Sequence, residues 1–197
     1  MKQNNPNIVI VIGGPGSSGS STIAKMLSAH FNVPRVYAGD VFRKKAMEAG
    51  YDNFEDFLIS VVKKGYYLDN EIDEELVESA KKGNVLIESK SFAMICKNID
   101  FHCTISIWLT ASLHVRSLRR LGKDEVKGLH RIINYLKVRR DLVRRYKIDK
   151  DKYWALYRTD YSKPEKYYDI VLNTSKLDVE ETFNLILKYI KDGGYVK

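Results

Sequence analysis

Short runs of apolar residues punctuate the chain, and the first of them is the clearest. The run from Ile8 to Ile12 is apolar at every position, which is typical of a strand in a parallel sheet covered on both faces. Four further runs of similar length are also interpreted as strands. The five predicted strands span residues 7–12, 35–38, 85–88, 103–109 and 169–173.

Between the strands, apolar residues recur every three or four positions, which indicates helices with one buried face. Helices are predicted over 21–31, 40–48, 53–64, 69–82 and 178–190, and the region between the last two strands is mostly helical. Because strands alternate with helices, the predicted fold class is α/β, a five-stranded parallel sheet flanked by helices. The length of 197 residues suits a single domain over 1–197.

A turn rich in glycine and serine joins the first strand to the first helix. From Gly13 to Thr22 it has the sequence Gly-Gly-Pro-Gly-Ser-Ser-Gly-Ser-Ser-Thr. Such a turn directs backbone N–H groups and the positive end of the helix toward an anion, so it predicts a nucleotide phosphate site. The residues assigned to ATP binding are Gly14, Pro15, Gly16, Ser17, Ser18, Gly19, Ser20, Ser21 and Thr22, and Ser21 is also assigned to Mg²⁺.

Two phosphate-binding patterns compete for this turn. It fits the P-loop pattern G-x-x-x-x-G-K-[ST] except that Ser20 replaces the lysine, and it fits G-x-G-x-x-G of the dinucleotide folds in full. Asp40, about 20 residues further on, also suits the dinucleotide pattern, but it is expected to begin a helix, as its N-cap. The hydroxyls at the start of the first helix favour the P-loop, because Mg²⁺ needs an oxygen ligand there. The dinucleotide site is kept as the alternative.

Basic residues are concentrated in one part of the chain. The net charge is +8, and residues 114–152 alone carry fourteen Lys or Arg against five Asp or Glu, a net charge of +9. This block predicts a moving lid over about 114–165, with cations that close over phosphates and replace the lysine missing at Ser20. A solvated basic helix surface and a nucleic-acid patch are the alternatives.

No apolar run reaches the ~20 residues that a membrane-spanning helix needs. The first strand is also too short, and too soon interrupted by glycine, to be a signal peptide. We therefore expect a cytoplasmic protein with no membrane partner.

Five short sequence motifs occur along the chain. Their order is a more specific signal of a protein family than any single motif. They are the turn at 13–22, Ala-Gly-Asp-Val-Phe-Arg at 38–43, Leu-Ile-Glu-Ser-Lys at 86–90, residues 107–116, and residues 168–175. In this order they resemble the nucleoside monophosphate (NMP) kinases, most closely the cytidylate kinases of archaeal type. The resemblance implies transfer of a phosphoryl group from ATP, with Mg²⁺, to CMP or dCMP. It also implies a P-loop NTPase-like core, a helical NMP-binding insert over about 39–83, and a lid.

The same resemblance assigns individual residues. Arg43 would hold the phosphate of the acceptor, and Gly39 and Asp40 would shape its entry. A run at 145–152 resembles the R-x-x-x-D-x-x-R sequence that binds the cytosine and ribose side in relatives. Acceptor binding is therefore assigned to Gly39, Asp40, Arg43, Lys90, Asp149 and Lys152. Arg116, Arg119 and Arg120 look like the first arginines of the lid, and the catalytic assignment is Arg116, Arg120 and Arg145.

The chain departs from the family pattern at several positions. Ser20 replaces the loop lysine, while Lys90 and Lys152 replace arginines, and a lysine cannot reproduce the two-pronged contact of arginine with phosphate. The alternatives are a kinase for AMP or UMP, or a catalytically silent nucleotide- or RNA-binding P-loop protein. Nucleic acid is not the expected partner, and a monomer is expected.

In the aromatic stretch at 153–161, Tyr153, Trp154 and Tyr157 are expected to pack rather than to stack on a base.

Overall fold

The computed structural model describes residues 7–52, Phe57, 67–122 and 128–195. Within them, five parallel strands form one sheet in the order β2-β3-β1-β4-β5, which confirms the predicted fold class. The strands are β1 (Val9–Gly13), β2 (Arg35–Tyr37), β3 (Val85–Glu88), β4 (Ile105–Thr110) and β5 (Ile170–Asn173). Each lies within one or two residues of its predicted position.

Seven described helices flank this sheet. They are α1 (Ser20–Phe31), α2 (Ala38–Glu48), α3 (Tyr67–Lys82), α4 (Phe92–Asn98), α5 (Leu113–Leu121), α6 (Leu129–Tyr157) and α7 (Val179–Asp192), with a short 3-10 turn at Pro164–Lys166. Of the helix predicted over 53–64, only Phe57 lies among the described residues. In the described part of the chain, no helix is long and apolar enough to cross a membrane.

The two faces of the sheet carry separate halves of the core. Ile10 and Ile12 of β1 point to the face covered by α1 and α7, where they pack with Leu27 and Ile186. Val11, between them, points to the opposite face, which is covered by α3, α4 and the second half of α6. Because both faces are covered, the central strand is apolar at every position, as a buried parallel strand requires.

The order of the strands determines where a ligand can bind. β1 pairs with β3 on one side and with β4 on the other. Because β2 and β3 lie on one side of β1 and β4 and β5 on the other, β1 is the strand at which the strand order changes direction. In open parallel sheets, ligands bind in the crevice at this point, beyond the carboxyl ends of the strands. The glycine-rich turn lies there.

Two local features differ from the prediction. α2 begins at Ala38 with Tyr37 as its N-cap and no side-chain cap, so the prediction of Asp40 as the N-cap is wrong. β2 passes directly into α2, and this places Asp40 inside the first turn. The short helix α4 was not predicted, because its residues from Phe92 to Cys96 are all buried and such a segment shows no amphipathic period.

Candidate active site

The glycine-rich turn lies very close to the ends of β3 and β4. A Cβ atom on Gly14 would lie 2.3 Å from the carbonyl oxygen of Leu109 and 2.4 Å from Oγ of Ser18. A Cβ on Gly13 would lie 2.5 Å from the carbonyl oxygen of Ser89. Neither position has room for a side chain, which is why the strand leads into the loop through two glycines.

The loop itself presents free N–H groups. Ser17 and Gly19 have φ angles of 65° and 100°, and α1 starts at Ser20 without a side-chain cap on Gly19. In the described chain, the loop amides with no acceptor are those of Gly14, Gly16, Ser17, Gly19, Ser20 and Ser21. Amides at a helix N-terminus that no side chain satisfies form a site for an anion.

The remaining residues of the turn have other surroundings. Pro15 is buried, and Ser18 is 1% exposed with no partner for its Oγ within the described structure. The Ser18 side chain therefore faces inward. The Thr22 side chain is exposed at the start of α1.

The hydroxyl of Ser21 donates a hydrogen bond to Oε1 of Glu88, the last residue of β3. The second oxygen of Glu88, Oε2, accepts from Nε of Arg35 at 2.6 Å. Glu88 is 3% exposed, and the arginine compensates its buried charge. Our sequence reasoning gave Glu88 no role, although an acidic residue that ends an apolar strand beside a phosphate loop was an available signal.

Two arginines of α5 contact the carbonyl oxygens of the turn. Arg116 donates from Nη1 to Gly16 O at 3.3 Å, and Arg119 donates from Nη1 to Ser18 O at 2.9 Å. Arg119 also holds Thr174, at 2.9 Å from its Oγ1. Burial lowers the pKa of both arginines. Arg120, on the same helix, is exposed and makes no hydrogen bond or ion pair among the described residues.

The assigned acceptor residues after β3 and on α6 take part in two ion pairs. Nζ of Lys90 lies 2.5 Å from Oδ2 of Asp149, and Nζ of Lys152 lies 2.8 Å from Oδ1 of Asp69 on α3. Burial lowers the pKa of Lys90, and the charge of Asp149 opposes that shift. Arg145 is exposed, and its charge contributes to the lower pKa of Lys90. Asp69 was not assigned from the sequence.

The other assigned acceptor residues lie at the start of α2. Nη2 of Arg43 is 2.5 Å from Oδ1 of Asp40, and this hydrogen bond is the main reason that the pKa of Arg43 is raised. A Cβ on Gly39 would lie 2.6 Å from the Tyr37 ring. Gly39 therefore leaves room for that ring, which packs beside the Arg43 guanidinium.

The aromatic stretch is divided between the core and the surface. Tyr153 is buried and contacts Tyr161 with ring centroids 5.2 Å apart, so the packing prediction is confirmed there. Tyr157 is half-buried and donates from its hydroxyl to Asp73 on α3. Trp154 is 54% exposed, and the expectation that it packs is wrong because it lies on the outer face of α6.

The dinucleotide interpretation of the turn does not agree with the topology. In the dinucleotide folds β2 lies beside β1, so that an acidic residue after β2 reaches the nucleotide bound at the loop. In this sheet β3 lies between them, and Asp40 pairs with Arg43 within α2. The strand order is that of a P-loop fold.

Comparisons with known proteins show which families this chain resembles. The family model described as an AAA domain matches residues 12–127. The curated cytidylate kinase of Methanocaldococcus jannaschii is 34% identical over 179 residues, which cover 91% of this chain and 95% of that protein. The cytidylate kinase of Methanopyrus kandleri is 34% identical over 186 residues, covering 91% of each.

Solved structures support the fold. The shikimate kinase from Bacteroides thetaiotaomicron superposes with a TM-score of 0.52 at 14% sequence identity, covering 95% of this chain and 98% of that chain. An identity this low bears on the fold alone. The relatives in sequence, by contrast, match this chain over nearly their whole length. The chain therefore carries the domain of the AAA family model and belongs to the cytidylate kinase family, in its archaeal type.

Proposed function

We propose that this protein transfers the terminal phosphoryl group of ATP to CMP or dCMP, giving ADP and the nucleoside diphosphate. The observation that carries the proposal is the glycine-rich loop at the start of α1, next to the Ser21–Glu88 contact, where the amides of Gly16, Ser17, Gly19, Ser20 and Ser21 have no acceptor in the described structure. Family membership supports the choice of reaction, because the similar proteins from Methanocaldococcus jannaschii and Methanopyrus kandleri are cytidylate kinases.

Mg²⁺ fits the residues beside this loop. No group of three His, Cys, Asp or Glu side chains in the described residues could hold a metal alone, and Mg²⁺ in phosphate sites commonly uses one or two protein ligands with phosphate and water. Ser21 would contribute its hydroxyl oxygen, and Glu88 would orient that hydroxyl and accept from metal-bound water. When bound, Mg²⁺ supplies positive charge to the phosphate oxygens of ATP.

The acceptor would bind opposite the loop, between α2, α3 and α6. When the acceptor binds, Arg43 would give up its ion pair with Asp40 and bind the phosphate of the acceptor. Lys90 would lie beside the transferred phosphoryl group. Asp149 is a suitable partner for the cytosine amino group, because carboxylates accept hydrogen bonds from it in base recognition. In the free protein, ion pairs satisfy all these charges, so binding would rearrange existing contacts.

We further propose one kinase domain over 1–197, with an NMP-binding insert over about 39–83 and a lid over about 114–165. The lid would supply cations during transfer, when charge spreads over the phosphoryl oxygens and catalysis rests on positioning and electrostatics. Support comes from α6, in which no residue of 129–141 is buried, whereas Leu142, Asp149 and Tyr153 are. The first half of α6 thus lies outside the core, as a segment that moves over the site would. We propose that Arg116, Arg120 and Arg145 act on the phosphates from this lid, and that the protein is a cytoplasmic monomer.

A coupled assay for ADP formation tests the function. With ATP and Mg²⁺, we expect the highest kcat/KM for CMP or dCMP among CMP, dCMP, UMP, AMP and GMP. A preference for AMP or UMP would reassign the acceptor. Absence of turnover with all five, together with RNA binding that weakens steeply as salt rises, would instead indicate a silent RNA-binding protein.

A further inference from the structure

Arg35 contacts the carboxylate that also holds the loop hydroxyl. Its Nε and Nη2 lie 2.6 Å and 2.5 Å from Oε2 of Glu88, while Oε1 of Glu88 accepts the hydrogen bond from Ser21. The two side chains are largely buried, with exposed fractions of 18% for Arg35 and 4% for Glu88. One carboxylate is therefore shared between an arginine from β2 and a hydroxyl from α1.

The same arginine packs on Tyr37, two residues further along β2. The guanidinium carbon of Arg35 lies 4.8 Å from the centroid of the Tyr37 ring. The guanidinium carbon of Arg43 lies 5.5 Å from the same centroid. Tyr37 thus contacts both guanidinium groups, and a continuous series of contacts runs from Ser21 through Glu88, Arg35 and Tyr37 to Arg43.

The chemistry of arginine suits this position. Its planar fork places two N–H groups on one carboxylate oxygen and leaves the other oxygen for Ser21, while its flat face stacks on an aromatic ring. A lysine would keep the charge but would lose the second N–H contact and the stacking. Loss of the cation would leave a buried carboxylate without compensation, which is unfavourable in a protein interior.

We propose that Arg35 is a positioning residue for both substrates, a role that rests on the proposed function. Through Glu88 it directs the proton of the Ser21 hydroxyl away from the loop, so that the oxygen lone pairs face the Mg²⁺ of the donor. Through Tyr37 it holds the Arg43 guanidinium toward the phosphate of the acceptor. The donor and acceptor sites thereby share one support.

The test compares three substitutions. Arg35→Gln should raise the half-saturating Mg²⁺ concentration at least tenfold, because residues that orient a metal ligand typically contribute 10–100-fold to affinity, and should also raise the KM of the acceptor. Arg35→Lys should restore part of the Mg²⁺ response, since it keeps the charge. Tyr37→Leu should raise the acceptor KM and leave the Mg²⁺ response unchanged, because it removes only the ring.

Calorimetry gives a second reading that does not depend on turnover. With a non-hydrolysable ATP analogue, Arg35→Gln should lose the gain in affinity that Mg²⁺ gives the wild type, while affinity without Mg²⁺ stays the same. If Arg35→Gln does not fold, the Mg²⁺ response and the acceptor KM are compared between the wild type, Arg35→Lys and Tyr37→Leu instead. The control is Lys45→Gln, which removes a 3.0 Å ion pair with Glu71 that does not touch Glu88.

The outcomes separate this inference from the proposed function. If Arg35→Gln behaves as Lys45→Gln does in both the Mg²⁺ response and the acceptor KM, the positioning role is overturned. A lower melting temperature with unchanged KM and Mg²⁺ response would also overturn it, since that pattern indicates a structural role alone. If the wild type phosphorylates no monophosphate but Arg35→Gln still loses Mg²⁺-dependent analogue binding, the proposed function fails and the link to the donor site stands.

Discussion

Gly13 and Gly14 are needed because of space, since a side chain at either position would overlap the backbone of a neighbouring strand. Gly19 and Ser17, by contrast, have positive φ angles. Only glycine adopts such angles without strain, so Ser17 carries a conformational penalty in the loop. The position of the loop therefore depends on close packing before the turn and on unusual backbone angles within it.

Gly14→Ala should abolish binding of an ATP analogue, because the new methyl group would lie 2.3 Å from Leu109 O and would displace the loop. Gly16→Ala is the comparison, since its Cβ would lie 3.3 Å from the flexible side chain of Leu142, and binding should weaken much less. Calorimetry with the analogue measures both, with thermal melts to verify folding. Equal affinities for the two variants would contradict this explanation.

At the scale of elements, α5 shows how neighbouring positions on one helix differ in role. Arg116 and Arg119 are three residues apart and share the face that contacts the loop, because positions three apart lie on one side of a helix. Arg120 lies one position further around the helix; both Arg119 and Arg120 are exposed, but in the described structure Arg120 makes no hydrogen bond to the loop. Our sequence reasoning chose Arg120 over Arg119 for catalysis, without knowing which side of the helix faces the loop.

The pair of adjacent arginines permits a matched test. Arg119→Ala should weaken the support of the loop by about 1.5–3 kcal/mol and thereby lower kcat/KM for ATP, because it removes the charge-assisted hydrogen bonds from Arg119 to Ser18 O and Thr174. Arg120→Ala, which removes no hydrogen bond to the loop, should lower kcat instead, because we propose that the lid carries Arg120 onto the phosphates on closing. Steady-state kinetics at saturating acceptor distinguishes them. An unchanged kcat for Arg120→Ala would contradict the proposed catalytic role of Arg120.

At the scale of the whole molecule, Asp73 and Tyr157 join α3 to the end of α6. Burial raises the pKa of Asp73 from 3.8 to about 6, and the hydrogen bond from Tyr157 opposes the shift. Between those two values the folded state binds more protons than the unfolded chain. The free energy of unfolding should therefore fall as pH rises from about 4 to 6, and level off above that range.

Asp73→Asn should remove this dependence. The variant should match the wild type near pH 4 and exceed its stability near pH 7.5 by about 3 kcal/mol, since each pKa unit corresponds to 1.36 kcal/mol. Urea unfolding at the two pH values measures the difference, and Asp151→Asn, an exposed position on α6, serves as the control. A difference between Asp73→Asn and wild type that is constant with pH would refute the assignment to Asp73.

Much of the fold could be predicted because its signals are local. The apolar run of β1 and the alternation of strands with helices sufficed for a parallel sheet, and the glycines and hydroxyls after β1 sufficed for the phosphate loop. The short helix α4 was missed, because a helix that is buried on all sides has no regular alternation of apolar and polar residues. The N-cap of α2 was misplaced, because the direct passage from β2 into the helix leaves no polar signal.

The sequence by itself determined the elements, the position of the loop and the basic segment that follows β4. These depend on periodicity, turn chemistry and charge within short stretches of chain. The tertiary structure alone decided the partners: Arg35 with Glu88 across 53 residues, and Lys152 with Asp69 across 83. The physical reason is that such pairs form only when the strand order and helix faces bring distant residues together, and no local pattern encodes that distance.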